Sequence, residues 1–202
     1  MSRLWASVLA MVLVGAGCGG PRVIEEYPVP QVKYEPKKVK PGRLAADDKA
    51  LLEEALNRQV MDTEEVIALS DRLLRHDNPA VRDKDTLDKL QILLLRSLQD
   101  KSKDHYPQTL RNLGIVNYYQ KQYMNARQAL QASSELNPRD GRTHFYLACI
   151  YAEQGRIHYA QGQKRKSAAQ YKRAQIELEQ ARKLEPSNPL YRQDLKQVME
   201  TD

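Results

Sequence analysis

Cysteine, phenylalanine, tryptophan and glycine are all scarce in this chain. Two cysteines among 202 residues cannot build a disulfide framework or a four-thiolate zinc site. One Phe, one Trp and nine Gly argue against a sandwich or barrel of aromatic-rich strands. Charge of one sign is in small excess only: 32 Lys and Arg face 26 Asp and Glu, a formal charge of +6. Both signs are mixed along the chain, so a dedicated nucleic-acid binder is not indicated. The apolar run Leu4 to Val14 is too short to cross a bilayer. What is plentiful is Leu, Ala, Gln, Lys, Arg and Glu, all strong helix formers. With 41% apolar and 29% charged residues, the arithmetic describes an all-α body of one domain with a tail.

Residues 1–17 read as an address. Arg3 supplies a charged start, Leu4 to Val14 an apolar stretch, and Gly15, Ala16 and Gly17 a small-residue cleavage region. That is the pattern of a secretory signal. Cys18 comes next. Small residues followed by Cys resemble the bacterial lipobox, although Gly15 stands where an apolar residue such as Leu is usual. The resemblance implies that Cys18 is lipidated and becomes the mature N-terminus. Two or more acyl chains then supply the anchoring that one chain alone cannot. Gly19, rather than Asp, follows the Cys, which in the familiar bacterial sorting system implies the outer membrane. The expected location is therefore the cell envelope, lipid-anchored in the outer membrane and facing the periplasm.

Residues 18–43 hold Pro21, Pro28, Pro30, Pro36 and Pro41, half of the chain's ten prolines. Neither a helix nor a central strand runs through such a stretch, so it is expected to be a disordered tether reaching on the order of 75 Å at about 3.1 Å per residue. From Leu44 onward proline marks only boundaries, and residues 44–202 read as an α-helical domain. Ala46, Leu51, Leu52, Ala55, Leu56 and Val60 make a first apolar stripe. Thr63 before Glu64 and Glu65 reads as an N-cap, opening a second helix through Val66, Leu69, Leu73 and Leu74 to about His76. Leu87, Leu90, Leu94 and Leu98 form a third stripe, which Leu93 and Leu95 widen enough to predict burial on more than one side.

Leu113-Gly114 recurs 34 residues later as Leu147-Ala148. This period and its small residues resemble the tetratricopeptide repeat, a helix–turn–helix unit. In the unit 107–140, Leu110 takes the Trp slot, Leu113, Gly114 and Ala126 match, Leu130 replaces an aromatic, and Pro138 closes the unit. Asn117 sits in the Tyr slot, a departure, with Tyr118 beside it. In the unit 141–188, His144 takes the Trp slot and Leu147, Ala148 and Tyr151 follow. Its closing proline, Pro186, comes 48 residues after Pro138, so the unit is 14 residues longer than the repeat of 34. Divided as seven per helix, the insertion keeps the apolar seam nearly in phase and places the turn at Gly162, giving helices over 141–161 and 164–185. The alternative turn is Gly155, with one very long second helix. A cap helix is expected over 189–200.

Catalytic chemistry finds little support. The four His (His76, His105, His144 and His158) form no H-E-x-x-H pattern, and no Cys pair has metal spacing. Gly162 to Ser167 lacks the order of a phosphate loop. Ser133 and Ser134 lie inside a helix rather than on a strained elbow. Cys149 reads as a small buried thiol and His144 as a packing residue. Neither a cofactor nor a metal is expected, and the chain is not expected to be an enzyme.

Two surfaces are candidates for binding. The repeat resemblance implies a concave groove lined by Gln108, Arg111, Ile115, Tyr118 and Tyr119 from the first unit, and by Arg142, Phe145, Cys149 and Glu153 from the second. Arg with Tyr anchors interfaces well. A peptide-carboxylate clamp is only partly matched, because Ile115 stands where Asn is expected. The alternative is that helices such as 80–103 cover part of this face. The second surface is basic: Arg156, Lys164, Arg165, Lys166, Lys172 and Arg173 occur with no acid among them. It is either a solvated helix face or a contact for lipid headgroups, an anionic envelope polymer or an acidic protein. In general form the chain resembles pilotin-like repeat lipoproteins of the bacterial envelope. That implies a scaffold for protein–protein interaction in assembling or stabilising an envelope complex. The alternative is a cell-wall-associated enzyme or activator contacting an anionic polymer through the basic tip.

Overall fold

A computed structural model describes residues 46–58, 62–99 and 105–192. Cys18, the signal segment and the Pro-rich tether lie outside the described residues, as does the expected cap helix beyond Arg192. Every regular element among the described residues is helical. Helix α1 spans Ala46–Asn57 and α2 spans Thr63–Leu73. A short 3-10 turn, Pro79–Arg82, precedes α3, Lys84–Ser97. Then come α4 (Tyr106–Tyr119), α5 (Tyr123–Leu136), α6 (Gly141–Ala160), α7 (Lys164–Leu184) and the short α8 (Pro189–Arg192).

Side-chain caps explain most of the starts. The Asp62 carboxylate accepts from the Glu64 N–H at 2.9 Å, so Asp62 caps α2 and Thr63 is its first helical residue, the cap falling one position earlier than the sequence suggests. Asp62 has the extended backbone a cap needs and a charge that suits the positive end of the helix. Helix α2 stops at Leu73, short of His76, because the chain must turn into the next segment: Asn78 Oδ1 accepts from the Ala80 N–H at 2.9 Å. Asp83 opens α3, accepting from the Thr86 N–H and hydroxyl. Asp140 opens α6, accepting from the Arg142 and Thr143 N–H groups. Helix α3 is shorter than the 80–103 stretch read as helical, and its Leu90, Leu93 and Leu94 are wholly buried with Leu95 nearly so. The widened stripe thus packs on several sides.

The α4–α5 and α6–α7 hairpins are built alike. In the first, Lys121 takes a left-handed φ of 62°, and the Gln122 N–H donates back to the Asn117 carbonyl at 2.8 Å. In the second, Gly162 takes φ of 72°, and the Gln163 N–H donates to the His158 carbonyl at 2.9 Å. Both are left-handed helix terminators of one kind. The turn therefore falls at Gly162 and not at Gly155, which lies inside α6 under the Tyr171 ring. Helices α6 and α7 have 20 and 21 residues against 14 and 14 for α4 and α5, so the extra length is shared almost equally.

Small residues set the helix crossings. A Cβ on Gly114 would lie 2.5 Å from Leu130 Cγ, and Ala126 and Ala129 opposite are fully buried. In α7, Ala174, Leu178 and Ala181 face the core while most of the helix is exposed. Tyr191 of α8 closes the far end, its ring stacked on Phe145 at 5.0 Å. The core is thus assembled from α2, α3, α4, α5, α6 and the basal half of α7, with Leu52 of α1 and Tyr191 of α8 joining it.

Candidate functional site

The inner face of α4 and α6 is filled by the chain itself. Ile115 and Cys149 are wholly buried, and Phe145 and Tyr118 are 1% and 5% exposed. None of them lines an open groove, a correction to the groove expected from the repeat pattern. The end of α2 lies there instead, because Leu73 and Leu74 have no other core to enter; both are 0% exposed. Its Asp71 sits between two guanidinium groups. Arg111 donates to Asp71 at 2.6 Å and to Asp140 at 2.9 Å. Arg142 donates to Asp71 at 3.0 Å and to the Leu74 carbonyl at 2.5 Å. Burial works against the Arg111 charge, but Asp71 and Asp140 outweigh it and raise its pKa. The two arginines are spent on holding α2 to α4 and α6.

The remaining groove residues serve the same closure. The Tyr119 hydroxyl bonds the Tyr146 hydroxyl at 3.0 Å and His76 Nδ1 at 3.3 Å. Tyr118 meets the rings of Tyr119, Tyr123 and Tyr146 edge-on or tilted. Gln108 is half-buried. Asn112 donates to the Ser70 hydroxyl at 2.7 Å, and Gln91 of α3 donates to Asn117 at 2.9 Å. Glu153 is nearly buried and pairs with Arg156 at 2.8 Å. His144, in its packing slot, has Nδ1 2.7 Å from Glu177 and Nε2 3.0 Å from the Pro138 carbonyl. Both partners accept, so the doubly protonated ring satisfies both. The Glu177 hydrogen bond leads in raising the pKa, burial opposes it, and the Pro138 carbonyl adds to the rise.

The distal half of the α6–α7 hairpin is an arm. From Arg156 to Ala169 only Ser167 is buried. Tyr159 is 66% and Ile176 60% exposed, and Ile157 and Tyr171 are also open to solvent. The basic residues gather here as the sequence places them, yet they do not act as one cluster. Arg156 is tied to Glu153, and the Arg173 guanidinium lies 5.9 Å over the Tyr151 ring. Lys164, Arg165, Lys166 and Lys172 are exposed and make no ion pair among the described residues.

Two features carried no sequence signal. Lys89 is 1% exposed, and its ammonium bonds Glu53 of α1 and Asp85 one turn before it. A cleft of about 290 Å³ lies between α1 and α2, floored by Leu51, Ala55, Val66 and Leu69 and rimmed by Glu54, Arg58, Glu65 and Arg72. No group of His, Cys, Asp and Glu suited to a metal ion occurs among the described residues, and no helix there is long and apolar enough to cross a membrane. No family model, curated protein or solved structure matches the chain.

Proposed function

We propose that this chain is an outer-membrane lipoprotein of tetratricopeptide-repeat type, tethered through Cys18, that binds an envelope protein and supports assembly or stability of its complex. Two hairpins with the same turn and small residues at their crossings support the repeat reading. The lipobox-like start and proline-rich segment support the tether. One observation carries the binding role: the second hairpin is lengthened into an arm that adds little core yet exposes Ile157 and Tyr159. Exposed aromatic and aliphatic anchors on a rigid helix suit a protein partner. The partner surface is accordingly the arm, since the inner face is consumed by α2. The function is binding rather than turnover.

The experiment is chemical crosslinking of the full-length chain in its own envelope, followed by affinity purification in detergent. A defined protein recovered with wild type and reduced with Tyr159→Ser supports the scaffold. Retention only on anionic cell-wall polymer, released by salt, would overturn it in favour of a wall-associated enzyme or activator.

A further inference from the structure

Six of the chain's 32 Lys and Arg lie between residues 154 and 176, where there is no Asp or Glu. The other 26 are matched by the 26 acids of the chain. The whole net charge of +6 is therefore held by the arm, and the remainder is balanced. Folding does not require this placement. Lys164, Arg165 and Lys166 occupy the first turn of α7, where no acid accompanies them and no side chain caps the helix. Cations at that end oppose the helix dipole.

The positions have a shape as well as a sign. Arg165, Ala169, Lys172 and Ile176 follow one another at four, three and four residues, so they form one stripe along α7. All four are exposed, while Ser167, Ala174, Leu178 and Ala181 mark the opposite, core-facing side. Lys166 stands one residue along from the stripe's start. From Arg165 to Ile176 the stripe is about 17 Å long at 1.5 Å rise per residue. The cleft between α1 and α2 lies elsewhere and is lined by no residue of α6 or α7. Its cations are not held in a fixed geometry by any carboxylate among the described residues. A helix face with loose cations around a solvent-facing isoleucine has no fixed ion-pair geometry to match to a folded acidic protein. It does suit a fluid anionic surface, whose charges move to meet the cations while lysine and arginine stems reach past the apolar centre.

We infer that the outer face of α7 lies on anionic phospholipid headgroups through Arg165, Lys166 and Lys172, with Ile176 at the acyl boundary. This rests on the reading of a membrane-tethered chain and adds to it a second contact. One lipid anchor on a long tether leaves the body free to tumble. A basic face next to the bilayer fixes which side of the body points away from it. Ile157 and Tyr159, on α6, remain for the protein partner.

The test uses the full chain carrying Cys18→Ser, so that no acyl anchor contributes. Partitioning is measured onto vesicles of phosphatidylcholine alone and with about 30 mol % phosphatidylglycerol. Anything contributed by residues 1–17 is present with both vesicles and in every variant. The chain is expected to prefer the anionic vesicles, and the preference to fade between about 50 and about 500 mM salt as screening rises. Each cation at such a surface contributes about fivefold in partitioning, so R165Q/K166Q/K172Q should lose about 100-fold. Its melting temperature should hold or rise slightly, since two of the changes relieve the first turn of α7. Equal binding to both vesicle types, or full retention by the triple variant, would overturn the inference. So would capture by an acidic polypeptide, polyglutamate, with no vesicle preference. The anchor reading fails separately, by the mass of the membrane-extracted wild type.

Discussion

Gly114→Ala isolates the packing rule on which the hairpins depend. In an open helix the change would stabilise, since Ala exceeds Gly by about 1 kcal/mol in helix propensity. Here the new Cβ would sit 2.5 Å from Leu130 Cγ, 3.0 Å from its Cδ2 and 3.2 Å from the Ala126 carbonyl oxygen. Leu130 is 0% exposed, and Cγ is the branch point of its side chain, so relief requires α4 and α5 to separate. Overpacking of this kind costs about 1–3 kcal/mol. The net expectation is a loss of about 1 kcal/mol, or about 2–4 °C in melting temperature for a domain of this size. Leu130→Ala removes the obstacle and by itself costs about 2–5 kcal/mol. In that background Gly114→Ala should regain its helix propensity and stabilise by about 1 kcal/mol. The coupling between the two sites is then about 2 kcal/mol, within the range for residues in contact. Urea unfolding followed by circular dichroism, on all four members of the cycle, reads it directly. A stabilisation of about 1 kcal/mol in both backgrounds would refute the argument, since it would mean that Leu130 does not abut Gly114.

Other perturbations reach different parts of the molecule. His144 has a raised pKa through Glu177, so its contribution is fully present below the unfolded value of about 6.5 and is lost as pH rises through the higher folded value. Melting temperature should fall across that window, and Glu177→Gln should flatten the dependence; an equal slope in the variant would contradict it. Asp71→Ala leaves Arg142 with the Leu74 carbonyl and Arg111 with Asp140 and the Asn112 amide oxygen, and should cost about 1–3 kcal/mol, the site being partly open to solvent. Deleting 155–161 together with 163–169 leaves Gln154-Gly162-Gln170, which repeats the native Gln161-Gly162-Gln163 turn, and removes only Gly155 and Ser167 among buried residues. That shortened chain should unfold cooperatively, and a molten product would show the arm to be core. Intact mass of membrane-extracted protein should give a chain beginning at Cys18 with lipid attached and, since Trp5 is the only tryptophan, Tyr fluorescence alone.

What could be read from sequence was local or periodic. Leu113-Gly114 and Leu147-Ala148 at a fixed spacing announced the two hairpins, and a glycine at position 162 announced the longer turn, because helix period and left-handed backbone leave marks within a few residues. The cap of α2 falls at Asp62 and not Thr63 because both are good caps and only geometry chooses between them. The closure of the inner face leaves no local mark in the sequence. Asp71 meets Arg111 and Arg142 across 40 and 71 residues, and no periodicity ties an acid to cations that far away. The charge on the arginines was visible; that an earlier helix would neutralise it was not. Lys89, buried between α1 and α3, is another case, since its partner Glu53 lies 36 residues away.

The most direct test of the binding scaffold is a photoreactive side chain placed at Tyr159 of the full-length chain in its own envelope, with Leu136 as the comparison site. Leu136 is also exposed, at 41%, but lies at the end of α5, away from the arm. The account predicts one discrete protein adduct from position 159 and none from position 136. An adduct from 136 with none from 159 would contradict it, as would the absence of any protein adduct at 159.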